Sequence, residues 1–266
     1  MSREPVKSAV RALEILKLFS EERRELNQKE IIGRLHYPQS SATFLLKSMV
    51  NTGFLSFDRK RRTYLPAPEV YRMGEWLEDL GYEHMFRGGV LTALLDELRA
   101  ETGLTVSLTT QNDIYVQWHR IVGDLPPSMR VPEGTSLPLT WSAYGCLLLS
   151  RESDAQIDRV VRLINAREPD PASKLNVSRA TAAIREIRSA QTYFMVNRRI
   201  TLAAAVATLL PVTIAGRSVA VGIGGDSTEL QARRDEVTRT LSAAVERYAG
   251  QLTETFGDDT TLPIAA

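Results

Sequence analysis

The chain has one cysteine, Cys146, among 266 residues, so no intrachain disulfide can form. The fold must be held by its apolar core, which suits a reducing compartment. Histidine is nearly as scarce: His36, His84 and His119 lie far apart, and with a single thiol they give none of the spacings of a zinc site. No paired carboxylates stand out. Ser142 lies outside any G-x-S-x-G turn, so nucleophilic hydrolysis has no visible anchor. Gly222-x-Gly224-Gly225 precedes a helix, but no Gly-Lys-Ser/Thr follows and the order of elements is not doubly wound. Long apolar runs are missing too. The longest, Leu202 to Leu210, contains Thr208 and stops at Pro211, well short of the roughly 18–20 residues of a membrane span. The first residues carry no secretory h-region. These absences predict a cytoplasmic protein without catalytic residues, metal, cofactor or membrane partner.

Net charge is almost absent, at +1, but it is unevenly spread. Residues 1–66 hold 13 Lys/Arg against 7 Asp/Glu, and residues 67–266 hold 20 against 25. A basic head on an acidic body fits a protein that brings one end to a polyanion. With 43% apolar residues, there is enough hydrophobic material for a large core.

The head reads as three helices and a hairpin. Helical spacing predicts a first helix over about 8–20, with Ala9, Leu13, Leu16 and Phe19 as its apolar stripe. Asn27 and Glu30 form a capping-box pattern at the start of a short second helix, with Leu26 and Ile31 at the staple positions. Pro38 disfavours helix at Tyr37 and ends it. In the third helix Ala42, Leu45, Leu46, Met49 and Val50 form a continuous apolar face, with Gly53 as its stop. Ser40, Phe44, Lys47, Ser48 and Asn51 then point outward. Hydroxyls, amides, one cation and one ring are groups that can meet base edges, phosphates or a thymine methyl.

Phe54 to Phe57 and Thr63 to Leu65 read as two strands flanking Asp58-Arg59-Lys60-Arg61-Arg62. Four consecutive cations repel one another in isolation, whereas beside a duplex they contact phosphates and release counterions. A helix-turn-helix followed by such a hairpin is a winged helix-turn-helix. The expected DNA contacts are Gln39, Ser40, Ser41, Thr43, Phe44, Lys47, Arg59, Lys60, Arg61 and Arg62.

Pro66-Ala67-Pro68 breaks the chain. Residues 67–83 read as a linker helix with Val70, Met73, Trp76, Leu77 and Leu80 as its apolar stripe, packed on a second copy or on its own chain. Residues 84–266 alternate differently. A helix is expected over about 85–101, then a hairpin turning at Asn112-Asp113 and a Pro/Gly-rich stretch over 123–138. Helices over 142–149, 153–166 and 178–190 follow. A strand over 193–196, two longer strands turning at Ala215-Gly216, and a helix over 227–256 complete the chain. Hairpins with helices grouped around them imply an α+β domain with a mainly antiparallel sheet.

These segments together resemble the IclR family of bacterial transcriptional regulators. Ala9 to Leu16 is similar to that family's opening helix. Pro38-Gln39-Ser40-Ser41 followed by Leu45-Leu46 is similar to its recognition-helix signature, and Tyr64-Leu65 to the end of its wing. Gly134 to Gly145 is similar to its effector-domain signature. Leu210-Pro211-Val212 and Ser218 to Val221 are similar to its terminal hairpin.

The resemblance implies a GAF-like effector domain and dimers joined through the DNA-binding domains, with tetramers as dimers of dimers. It also implies double-stranded operator DNA as partner and a small organic or aromatic acid as effector, without catalysis. By position it points to Ser142, Ala143, Asn197, Ala207, Gly222 and Gly224 as effector-binding residues, to which side-chain chemistry adds Trp118, Met129 and Tyr193. Asn197 stands where the family often has an acid, Gly222 and Gly224 lie near its usual hydroxyls, and Gln39 and Phe44 replace its usual Lys and Arg. These departures predict an effector that is larger or differently anchored, and an unusual operator. Two other classes also accommodate the residues: an enzyme that turns over its ligand, and a module whose basic hairpin binds an acidic protein.

Overall fold

The computed structural model describes residues 6–126, 129, 136–200 and 202–257. The chain divides into two compact units, Met1–Glu78 and Asp79–Ala266. The start of the effector-domain signature, Gly134-Thr135, and half of the Pro/Gly-rich stretch lie outside the described residues.

In the first unit α1 (Lys7–Glu22), α2 (Gln28–Leu35) and α3 (Gln39–Asn51) surround a small core. Ile15, Leu18 and Phe19 of α1 meet Leu26, Ile31, Leu46, Met49 and Leu55 there. The inward face of α1 is therefore rotated from the stripe expected from spacing, and Leu13 is 67% exposed. The α2 boundary follows its local chemistry. The Asn27 side chain accepts from the Glu30 N–H at 3.0 Å, and Glu30 accepts from the Asn27 N–H at 2.8 Å. His36 then leaves the helix in the left-handed region at φ 54°. On α3 the expected inward face is in place: Ala42, Leu46 and Met49 are buried, and Leu45 and Val50 are half-buried.

Strands β2 (Leu55–Asp58) and β3 (Thr63–Pro66) form the hairpin. A two-residue strand, β1 (Leu26–Asn27), adds to β3 and makes a three-stranded sheet. This strand is too short for any alternation to reveal it. After Ala67 the expected linker helix is shorter. Helix α4 (Pro68–Glu75) buries none of its residues and gives way to a 3-10 turn over Glu78–Leu80. Tyr71, Met73 and Trp76 are exposed.

In the second unit α5 (Glu83–Phe86) and α6 (Val90–Thr102) replace the single helix expected over 85–101. Gly88 and Gly89 separate them at φ 68° and 92°, outside helical space. The sheet is built from β4 (Thr105–Asn112), β5 (Tyr115–Val122), β6 (Ser136–Pro138), β7 (Thr192–Val196), β8 (Ala203–Ile214) and β9 (Arg217–Asp226). Its order is β6-β5-β4-β9-β8-β7, with every described pair antiparallel.

Alternation along the strands divides residues between the two faces. Val106, Leu108, Val206, Val221 and Ile223 face α6 and α11 (Arg234–Phe256), where Leu94, Leu98, Val237 and Leu241 are fully buried. The opposite face carries Ala205, Ala207 and Ala220 toward α7 (Ala143–Ser150), α8 (Asp154–Arg167) and α9 (Val177–Glu186). The last helix is also divided: Arg233 breaks helical geometry between α10 (Ser227–Ala232) and α11.

Asn27→Ala removes the acceptor half of the α2 cap. It is expected to cost about 1–2 kcal/mol, read as faster hydrogen exchange at the α2 amides with α11 amides unchanged. Equal acceleration in both helices would show that the cap does not act locally.

Candidate DNA interface and effector cavity

The helix α3 and the β2–β3 hairpin flank a groove of about 940 Å³ in the first unit. Thr43, Lys47, Arg59, Arg61 and Arg62 line it, together with Asn27, Gln28, Lys29, Val50, Phe57 and Tyr64. Of the expected contacts, Gln39, Ser40, Ser41, Phe44 and Lys60 are not on this wall. Phe44 stands out from α3 and is 75% exposed. Gln39, Ser40 and Lys60 are exposed and Ser41 is half-buried. Thr43 is held in place: its hydroxyl donates to the Gln39 carbonyl at 2.8 Å and accepts from Gln28 Nε2 at 2.7 Å. Gln28 and Lys29 lie on the helix before α3. The signal that could have found them is the polar first turn of α2, which faces the same groove.

The hairpin tip is set by one carboxylate. Asp58 Oδ1 accepts from the Lys60 N–H at 2.7 Å and the Arg61 N–H at 3.1 Å. These backbone donors, Arg61 first, hold the Asp58 carboxyl below its usual range. Arg62 closes the four-residue loop in the left-handed region at φ 55°. The four cations are not equivalent. Arg61 pairs with Glu25 at 3.1 Å, while no ion pair is found for Arg59, Lys60 or Arg62 among the described residues. Glu25 also accepts from the Thr63 hydroxyl at 2.9 Å.

The second unit holds a cavity of about 60 Å³ between α7 and the sheet. Trp118, Met129, Ser142, Ala143, Asn197 and Gly224 line it, as expected, together with Thr105, Ser107, Tyr144, Met195 and Ala205. Tyr193, Ala207 and Gly222 do not. The register explains these three misses. Gly224 pairs with Thr105 and Ala205, and Met195 continues that row. Gly222 pairs with Ser107 and Ala207, and Tyr193 continues the second row.

The buried Tyr144 ring fills the space over the second row. A Cβ built on Gly222 would lie 2.8 Å from Tyr144 Cε1 and 2.5 Å from the Val206 carbonyl oxygen. The Tyr144 hydroxyl is hydrogen-bonded to Ser107, burial pushes its phenol up, and its ring packs edge-on to Trp118 at 5.9 Å.

The Asn197 side-chain oxygen Oδ1 turns the chain by accepting from the Arg199 and Ile200 N–H groups, both at 2.8 Å. Ser142 caps α7 by accepting from the Gly145 N–H at 3.3 Å. Helix geometry leaves the Ala143 and Tyr144 N–H groups without intrahelical acceptors. No charged side chain is among the described lining residues.

Gly222→Ala must push Tyr144 or the backbone aside. It is expected to lose about 3 kcal/mol or more, a melting-temperature drop of roughly 6–12 °C. Gly224→Ala meets nothing nearer than 3.5 Å and is expected to shift melting by less than about 2 °C. Equal losses in calorimetry would refute the two-row description.

Comparison with known proteins matches both units. The IclR helix-turn-helix domain matches residues 8–59, from α1 to the hairpin tip. A protein from Cupriavidus necator named "Probable transcriptional regulator SauR" is 26% identical over 212 residues, covering 80% of this chain and 82% of that protein. The effector domain of a regulator designated IclR from Acinetobacter sp. ADP1 is 29% identical, with a TM-score of 0.56 over 60% of this chain and 93% of that one. The Thermotoga maritima IclR structure shares the fold from end to end. Its TM-score is 0.61 at 15% identity, over 94% of this chain and 99% of that one. The chain thus carries an IclR-type helix-turn-helix, is similar along most of its length to transcriptional regulators, and is itself a DNA-binding transcriptional regulator.

Proposed function

We propose that residues 1–66 read operator DNA, residues 67–83 link, and residues 84–266 bind a small organic or aromatic acid that changes operator affinity without being converted. The observation that carries the DNA reading is the groove shared by α3 and the hairpin, with Lys47, Arg59, Arg61 and Arg62 on its walls. Gln39, Ser40, Ser41, Thr43, Phe44 and Lys47 would meet the major groove. Arg59, Lys60, Arg61 and Arg62 would meet phosphates or the adjacent minor groove.

An acid in the α7 cavity would be held by the N–H groups of Ala143 and Tyr144 rather than by an ion pair. Its apolar body would lie against Trp118, Met129, Ala143 and Gly224. The cavity's size favours a small acid over a larger one. Exposed apolar side chains on α1, on α4 and just after it, including Val10, Leu13, Met73 and Trp76, support assembly as a homodimer or a tetramer built from dimers. No helix among the described residues is long and apolar enough to cross a membrane. Binding to operator DNA belongs in the cytoplasm.

Two measurements test this reading. In duplex binding across salt concentrations, Arg59→Ala and Arg62→Ala should each flatten the log–log slope by about 0.9, and Arg61→Ala by less, because Glu25 already pairs with it. Glu25→Gln should steepen the slope. Unchanged slopes in the Arg59 and Arg62 variants would overturn the wing assignment. In a thermal-shift screen, small aromatic and aliphatic carboxylates should raise the melting temperature. If none does, the effector assignment fails while the DNA assignment stands.

A further inference from the structure

A second cavity, of about 210 Å³, opens in the C-terminal unit beside the 3-10 turn Leu139–Trp141. Its wall differs in kind from the apolar cavity under α7. Lys174, Arg198 and Arg199 contribute to it, and Glu168 is the one carboxylate among its described lining residues. Arg199 is already answered: it donates to the buried Glu168 carboxylate and lies 5.0 Å from the centre of the Trp141 ring. That contact, followed by the Asp170 N–H, holds Glu168 below the usual carboxylate range. Asp170 is also satisfied, accepting from the Ser173 hydroxyl at 2.7 Å and the Ala172 N–H at 3.0 Å. Lys174 and Arg198 have no carboxylate partner among the described residues.

An independent observation comes from Thr140, which lines the same cavity and is 3% exposed. Its hydroxyl oxygen is fully buried and has no hydrogen-bond partner among the described residues. A buried hydroxyl left in that state destabilises a fold, and native proteins nearly always supply it with a partner. The volume is far above the about 10–15 Å³ that one water needs. Two uncommitted cations share one wall with Thr140, whose buried hydroxyl lacks an acceptor.

We propose that this cavity is a binding site for a small, multiply charged oxyanion. One ligand oxygen accepts from the Thr140 hydroxyl, and Arg198 and Lys174 neutralise the charge. A phosphate and a dicarboxylate share this chemistry. The site does not depend on the reading of the α7 cavity as the effector site.

The test uses the full chain in oxyanion-free buffer. Inorganic phosphate and malonate are titrated separately, each against sodium chloride of equal ionic strength, with melting temperature as the readout. At least one oxyanion should raise it saturably beyond chloride, and the one that does identifies the ligand class. Arg198 is exposed, so Arg198→Gln should fold normally while weakening apparent affinity about tenfold or more. Thr140→Val keeps the buried volume. It should raise melting by about 2–6 °C in oxyanion-free buffer and remove most of the oxyanion increment. No rise beyond chloride with either anion, or a rise that Arg198→Gln leaves intact, would overturn the site.

Discussion

The C-terminal unit is organised around one close approach, the seating of the Tyr144 ring over Gly222. Any side chain at Gly222 would collide with that ring or with the Val206 carbonyl. The absence of one lets α7 settle on the sheet with Tyr144 inward, hydrogen-bonded to Ser107 and stacked edge-on to Trp118. The ring also divides the sheet face. In one row Gly222 and Ala207 become core and Ser107 alone reaches the cavity, while Thr105, Gly224 and Ala205 of the other row form its floor. Small residues on two adjacent strands would otherwise open a wider space, so Tyr144 sets the size of the cavity.

In the N-terminal unit the equivalent constraint is electrostatic. Four adjacent cations at a hairpin tip favour a spread-out loop. Asp58 opposes this by fixing the turn through two backbone N–H groups, and Glu25 neutralises Arg61 from outside the hairpin. A solvent-exposed pair of this kind is worth about 0–1 kcal/mol. That is enough to bias the tip and too little to withhold Arg61 from a phosphate backbone. The arrangement orients the wing while leaving most of its charge available.

Much of this was legible in the sequence because it rests on local chemistry. The Asn27–Glu30 cap, the inward face of α3, the turn at Ala215-Gly216 and the starts of α7 and α8 near Ser142 and Ser153 depend on residues within a few positions of one another. What escaped was decided by distant partners. The stripe through Leu13 satisfies helical spacing as well as the buried set Ile15, Leu18 and Phe19 does, and only the packing of α2 and α3 selects between them. The linker and the helix before β4 carry unbroken helical periodicity, but 3-10 geometry after α4 and positive φ at Gly88 and Gly89 interrupt them. Tyr193, Ala207 and Gly222 were sound choices for a pocket-facing strand surface. They fell outside the cavity because an aromatic residue at the start of α7 claimed their row, and no spacing rule on those strands records that.

The two cavities of the C-terminal unit share structural parts. Thr140 and Trp141 face the cationic cavity, and Ser142 and Ala143, the next residues in the chain, face the apolar one. The same holds on the other wall, where Asn197 borders the apolar cavity and Arg198 and Arg199 the cationic one. The Arg198 N–H donates to the Trp141 carbonyl at 3.2 Å and ties the two segments together, while Asn197 fixes the turn through the Arg199 and Ile200 N–H groups. A ligand that displaces Ser142 or Asn197 therefore displaces the groups offered to an oxyanion, through a single peptide bond at each point. Were both cavities to bind ligands as proposed, any coupling between them would be reciprocal.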